Sequence, residues 1–462
     1  MRPFFTGVIF ISVILLSSVE VLAQRPGSSS DTSVYSLYGQ QFASMLSVRG
    51  LPQKEIDELL KIYRDNNISS DEALAELLGK LYPAGKGIGI LFYFYNNDTL
   101  RRVFFEPGVV KEKILIPLKK EELQQISTDL NYLLGIYNSS EKRMPAKRGA
   151  IIDPPAATKG LTYNKLISNT TKLLLPGSFD TSYKHLLVIP ALNIGTIPFH
   201  LLTPFGDSTL LIDRCSFTVS PGIIDLISLR IKTLKMFEQF GSLMSGPPQE
   251  QLVSTFTLEN ALFISNPVYP TNTEFSFPDL PGAKKEIDNA IPFAKKYKLL
   301  EGAAAQKDTV LRLLAESDIV YFATHGMVNV DEPKKSCVVL SGNDPFLTVQ
   351  DIMEYRDTRK TERFPEMVIL SACQTGLGKS MEAGVVGLAR SFLLSGSNHV
   401  IMSLWNVDDD ATAFLMNRFL YYLQQPSLFM PAEPLRKALL DTRTKYPEKS
   451  KWASFSSFGT DY

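Results

Sequence analysis

The chain of 462 residues carries 48 Lys+Arg and 48 Asp+Glu, so its formal net charge is zero and nothing in its charge balance calls for nucleic acid or an anionic membrane surface as a bulk partner. A hydrophobic share of 44% with 21% charged residues is that of an ordinary globular chain, long enough for two or three domains. Three cysteines (Cys215, Cys337, Cys373) are too few for a disulfide scaffold, and the absence of any C-x-x-C or H-x-x-x-H pair excludes a zinc site, so no metal and no cofactor is expected.

Residues 1–23 read as a secretory signal: Arg2, an apolar run from Phe4 to about Ser18, and the small residues Val21 and Ala23 before the cut. The run falls short of the roughly 20 residues that span a bilayer, so the expectation is an exported chain, membrane-anchored only if the signal stays uncleaved. Residues 24–86 form a lead-in, "RPGSSSDTS", and a helical segment. "PQKEIDELLKIYRDN" and "SSDEALAELLGKLY" carry apolar residues at three- and four-residue spacing, and Ser70 caps the second.

From Gly87 the period changes, and 87–250 reads as one α/β unit. "IGILFYFYNNDTLRRVFFE" is a hairpin around Asn-Asn-Asp. "KKEELQQISTDLNYLLGIY" is a helix, and "EKRMPAKRGAIIDPPAATKG" is a surface loop. "HLLVIPALNIGTIPFHLL" gives two short strands around a turn. "SFTVSPGIIDLISLRI" gives a strand and a helix begun at Ser220-Pro221, and "GSLMSGPPQEQL" is a linker. Residues 251–462 alternate: strand "ALFISNP", helix "LPGAKKEIDNAIPFAKKY", helix "KDTVLRLLAES", strands "DIVYFATHG", "SCVVLSG" and "EMVILSACQ", helix "VVGLARSFLLSGS", strand "HVIMSLW" and helix "DDATAFLMNRFLYYL". Apolar strands separated by helices predict an α/β fold with a largely parallel sheet covered on both faces, its reactive crevice beyond the carboxyl ends of the strands.

Two of those strands end in chemistry, at His325-Gly326 and at Cys373, 48 positions apart. Parallel strands finish on one edge, so an imidazole there can take the proton of a thiol and leave a thiolate nucleophile. Acyl transfer also needs donors for an oxyanion, and the uncrowded N–H of Gly326 and that of Cys373 itself are the candidates. Cys215 and Cys337 lie in apolar strand patterns and read as buried. His185, His200 and His399 read as structural, His399 on the opposite rim. "TGLGKS" lacks the first glycine of a phosphate loop, and no G-x-S-x-G elbow occurs.

At these residues the sequence resembles the CHAT domain, of the caspase-like peptidase clan that contains caspases, gingipains and separase. The matching stretches are "VYFATHGMVN", "VVLSGNDPFLTVQDI", "MVILSACQTGLG", "EAGVVGLARSFLLSGSNHVIMSLWNVDDDAT", a terminal "WASF" and, upstream, "HLLVIPALNIGTIPFHLLTPFGDSTLLIDRCSFTVSP". The Ala-Cys context with a histidine about 50 residues before it is also the layout of caspases. The resemblance implies a His325–Cys373 dyad, a pseudo-caspase subdomain (87–250) before the active half (251–462), and an acid shortly after Trp405 that binds a basic side chain next to the scissile bond. Asp408, Asp409 and Asp410 are available, and the spacing favours Asp409. Family members usually carry arrays of helical repeats, and the helical part here is too short for one. Regulation is therefore expected from a separate protein, a cleavage or assembly, with a protein or peptide as substrate. The rival is a non-catalytic interaction module, whose sign would be loss of His or Cys; both are present.

Overall fold

A computed structural model describes residues 31–48, 53–134, 162–206, 208–241, 256–271, 277–327, 329, 332–359, 363–372, 379–381, 384–405 and 408–460. The expected signal at 1–23, the loop at 141–160 and the linker beyond Gly241 lie outside them, as does Cys373.

Three helices come first: α1 (Asp31–Val48), α2 (Gln53–Asp65) and α3 (Asp71–Leu81). The Ser70 hydroxyl accepts from the Ala73 N–H at 3.2 Å, as its position predicts, and Leu74, Leu77, Leu78 and Leu81 of α3 are buried. A meander follows: β1 (Ile88–Asn96), β2 (Thr99–Glu106) and β3 (Val109–Pro117). Its first turn places Asn97 and Asp98 at φ 47° and 50°, the left-handed geometry that a two-residue hairpin needs. Then come α4 (Lys120–Leu133), α5 (Tyr163–Leu174), β4 (His185–Ile189), α6 (Leu211–Arg214), β5 (Ser216–Val219) and α7 (Ile223–Gly241). The second strand expected after β4 does not form. The chain makes two 3-10 turns instead, Ile194–Thr196 and Phe199–Leu201, because Pro190 and Pro198 have no N–H to give a ladder. His200 therefore sits in a turn rather than a strand, and is buried there.

The rest of the chain runs β6 (Leu258–Pro267), α8 (Pro281–Ala290), β7 (Ala294–Gly302), α9 (Lys307–Leu314), β8 (Ile319–Ala323), β9 (Gly326–Met327), β10 (Cys337–Val339), β11 (Phe346–Thr348), α10 (Val349–Arg359), β12 (Met367–Ser371), β13 (Lys379–Met381), β14 (Gly384–Val386), α11 (Leu388–Ser395), β15 (His399–Ser403), α12 (Asp409–Leu423), α13 (Ala432–Lys445), α14 (Lys449–Trp452) and β16 (Phe455–Gly459). The helix expected over 280–297 stops at Ala290. Pro292 cannot extend its ladder, and "AKKYKLLEG" becomes the edge strand β7.

Eleven strands make one sheet in the order β3-β2-β1-β4-β5-β16-β15-β12-β8-β6-β7. β15, β12, β8, β6 and β7 are parallel to one another. β16 runs against β15 and with β5, which joins the strands of 88–219 to those of 258–403. β10, expected as one more strand of this series, instead pairs antiparallel with β9 and β11 in a separate small sheet. Among the described residues between β8 and β10 the only helical element is a 3-10 turn, Pro333–Lys335, too short for a parallel crossover. All of β8 is buried, and all of β12 except its last residue, Ser371. Each such Val, Ile, Leu or Phe contributes about 1.5–3 kcal/mol on burial, which fixes the register Ser371 opposite Ala323 and the position of both carboxyl ends.

Candidate active site

Two residues past the end of β8 stands His325. Its ring is almost wholly buried, with Tyr269 edge-on at 4.7 Å between centroids and Phe277 at 5.5 Å. Its Nε2 lies 2.8 Å from the carbonyl oxygen of Pro278. A carbonyl can only accept, so Nε2 carries the proton and Nδ1 keeps its lone pair. Burial holds the imidazole below its ordinary range, against the opposing pull of the Pro278 bond. At neutral pH the ring is the neutral proton acceptor that a general base must be. The backbone around it is tied on both sides. Val339 N–H donates to the His325 carbonyl at 2.8 Å, and the Thr324 hydroxyl donates to the Val339 carbonyl at 2.5 Å.

β12 ends beside it. The Thr324 N–H reaches the Ser371 carbonyl at 3.4 Å, and the Ala372 carbonyl accepts from the buried Ser403 hydroxyl at 2.9 Å. Cys373 is the next residue along the chain. It lies outside the described residues, and so does its N–H as an oxyanion donor. Gly326 opens β9, half-buried and opposite Val338.

The three acids after Trp405 divide their work. Asp408 caps α12, accepting from the Ala411 N–H at 3.0 Å. Asp410 pairs with Lys285 of α8 at 2.6 Å, which holds its carboxyl below the usual range. Asp409, exposed on one side, lies against α8 where Gly282 has no side chain; a Cβ there would collide with its carboxyl. Partial burial, then the charges of Asp408 and Asp410, raise its pKa. Among the described residues Asp409 has no ion-pair partner, whereas Asp410 has Lys285 at 2.6 Å and Asp408 has Lys451 at 3.7 Å.

A further acid was not expected. Glu286 of α8 is buried and accepts a hydrogen bond from the Tyr321 hydroxyl. Burial pushes its carboxyl up to about 7, with the Tyr321 hydrogen bond opposing. Its signal was present in the sequence. Ala283, Ile287 and Ala290 are the apolar positions of that helix, and Glu286 falls on their face. Among the described residues no group of three or more His, Cys, Asp or Glu could hold a metal ion.

A model of the CHAT domain family matches residues 162–460. That is more than half of the chain, and the chain belongs to the CHAT-domain family. It is similar to tetratricopeptide repeat protein 28 of Homo sapiens, 23% identical over 356 residues, 69% of this chain and 14% of that protein. The Mus musculus protein of the same name is 21% identical over 359 residues, again 69% of this chain and 14% of that protein. Among solved structures, a Saccharomyces cerevisiae separase–securin complex matches at TM-score 0.51 and 13% identity, covering 84% of this chain and 31% of the matched one. The Arg-specific cysteine proteinase gingipain R matches at TM-score 0.37 and 11% identity, over 66% of this chain and 68% of its own. The likeness to separase shows the fold, a large and mostly parallel sheet flanked by helices as in caspase-like peptidases. The chain spans 14% of the length of the curated relatives and 31% of the separase-complex chain.

Proposed function

We propose that this chain is an exported, caspase-like cysteine endopeptidase that cuts after Arg or Lys. The observation that carries this reading is the state of His325: neutral, its Nε2–H committed to the Pro278 carbonyl, and standing at the strand end next to the one that leads into Cys373. In this reading Nδ1 takes the thiol proton, the thiolate attacks the scissile carbonyl, and the N–H groups of Gly326 and Cys373 receive the oxyanion. The protonated His325 then returns the proton to the leaving amine, and water releases the acyl group. Asp409 pairs with the guanidinium or ammonium of the residue before the cut. The separase structure is a complex with securin, and the partner inferred for this chain is a separate regulatory protein. Among the described residues no helix is long and apolar enough to cross a membrane.

A second reading, a non-catalytic interaction module, is favoured by one observation: the curated relatives are named for their repeats. Fluorogenic Arg, Lys, Leu and Asp peptides assayed with and without neighbouring gene products separate the two. Hydrolysis of Arg and Lys peptides is expected, with a loss of about 10³-fold or more in Cys373→Ala and a selective loss on basic peptides in Asp409→Asn. Cys373→Ala rates within about threefold of wild type would remove Cys373 as the nucleophile, and no hydrolysis by wild type under any of these conditions would favour the second reading.

A further inference from the structure

Asn266 stands where β6 loses its register against β7. Ser265 faces Glu301 and Pro267 faces Gly302, so Asn266 is the extra residue of a bulge. Its φ is 36°, on the left-handed side that asparagine tolerates better than most side chains. A bulge re-aims one side chain, and here the amide leaves the sheet for the start of α8. The Asn266 Oδ1 accepts from the Leu280 N–H at 2.9 Å. Leu280 is the residue that caps α8, and it lies two positions after Pro278, whose carbonyl holds the His325 ring at 2.8 Å. A glycine would adopt the same φ without cost but has no oxygen to offer.

The backbone between Pro278 and α8 has few ways to move. The Pro278 ring locks its φ, and Pro281 keeps Leu280 out of helical backbone, at φ −115° and ψ 73°. The Leu280 carbonyl accepts from the Ala283 N–H at 3.0 Å, so α8 holds that side of the residue. Holding its N–H as well sets where the Pro278 carbonyl points. The residues just after Asn266 fix the same place from the other side. The Val268 N–H donates to the Ser341 hydroxyl at 2.8 Å, and that hydroxyl donates to the Gly302 carbonyl at 2.7 Å. Tyr269 stands edge-on to the imidazole, and its hydroxyl lies 3.3 Å from that of Thr324, the residue before His325. We propose that Asn266 is a positioning residue for His325: through the Leu280 N–H it keeps the Pro278 carbonyl on Nε2, and so leaves Nδ1 as the nitrogen that can take a proton. Its part in peptide cleavage rests on the reading of His325 as the general base; its hold on the ring does not.

The test reads the ring proton itself, in the full chain labelled with ¹⁵N-histidine. Four histidines give few signals, and His325→Gln assigns the one that matters. In wild type the His325 Nε2 proton should exchange slowly with water. In Asn266→Gly, which keeps the backbone and removes the oxygen, exchange should be faster by about fivefold or more, the worth of one ordinary hydrogen bond. The His200 ring, whose Nε2 faces the Ala453 carbonyl, is the control and should not change, nor should thermal melting. Asn266→Asp can accept the same N–H and should restore slow exchange. In peptide hydrolysis, kcat should fall in the glycine variant with KM nearly unchanged, and return in the aspartate variant. A folded Asn266→Gly with wild-type exchange at His325 overturns the proposal, as does a wild-type ring proton that exchanges like that of an exposed imidazole. Should the glycine variant melt early, a folded Asn266→Asp with fast exchange overturns it. If wild type cleaves no peptide yet exchange at His325 follows residue 266, the peptidase reading falls and the positioning role stands. If peptides are cleaved while neither kcat nor exchange responds to residue 266, the positioning role falls and the peptidase reading stands.

Discussion

At the scale of the residue, the site depends on which nitrogen of His325 is free. The Pro278 carbonyl decides this, since it engages Nε2 at 2.8 Å, and the ring is kept neutral by burial among Tyr269 and Phe277. His325→Ala should leave a folded chain, with peptide hydrolysis and Cys373 alkylation at neutral pH down by about 10²-fold or more, the usual worth of a general base. Rates within a few-fold of wild type would mean that the two residues do not meet. The pH dependence has a definite sign. A His whose folded pKa is lowered loses its base function only at a pH below its ordinary value, so the acid limb of the wild-type profile should fall below about 6.5. The two other thiols serve as internal controls. Cys215 and Cys337 are both buried; burial raises the first well above its ordinary range and pushes the second up to about 12.

At the scale of the element, residue type at a strand end made the site legible. His325 stands out because an apolar run stops there and Gly326 follows, and the Asp408 cap could be read from its place before "DDATAFLMN". Glu286 falls on the apolar face of Ala283, Ile287 and Ala290, but its charged neighbours in "AKKEIDNA" mask that signal, and the packing of α8 on β6 and β8 is what buries it. β16 was missed for a similar reason. "FSSFG" has serines at its centre, and its place in the sheet comes from pairing with β15 and β5, far away in sequence. The contact that joins α1, α7 and α11 is equally non-local. Arg390 of α11 is buried, pairs with Asp225 of α7 at 2.6 Å, and lies over the Phe42 ring of α1 at 5.2 Å, with the Met45 sulfur 3.0 Å from its other nitrogen. The Tyr38 hydroxyl of α1 accepts from the Ile223 N–H at 2.9 Å in the same place. Asp225→Ala strands a buried guanidinium and should cost about 3–5 kcal/mol in urea unfolding, whereas Asp225→Leu with Arg390→Met should recover most of that. A single-variant loss below about 1 kcal/mol would mean that water reaches Arg390 and the clip is not closed.

At the scale of the whole molecule, buried histidines set the acid limit of the fold. His185, His200 and His399 are fully enclosed, and burial pushes them down to about 3, about 4 and about 4 from an ordinary 6.5. Between those values the unfolded chain binds protons that the folded chain refuses, so stability present above pH 6.5 is lost as pH falls toward 4. At about 1.4 kcal/mol for each unit, each ring costs about 3 kcal/mol by pH 4.5. Glu286 acts with the opposite sign. Its folded value near 7 exceeds the ordinary 4.5, so its contribution is full at low pH and fades as pH rises toward 7, which offsets about one histidine on the way down. Three such rings against one such carboxyl leave these groups with a net loss of stability between neutral pH and 4.5, in a domain whose whole stability is ordinarily about 5–15 kcal/mol. The chain should therefore unfold cooperatively on mild acidification, with a midpoint near about pH 4.5 in near-ultraviolet circular dichroism and in the fluorescence of the buried Trp405 and Trp452. His399→Gln, which removes one titrating ring from the start of β15, should move that midpoint down if it folds at pH 7. A wild-type spectrum that stays native at pH 4, or a midpoint that does not move in the folded variant, would mean that these rings reach solvent or partners that accept their charge.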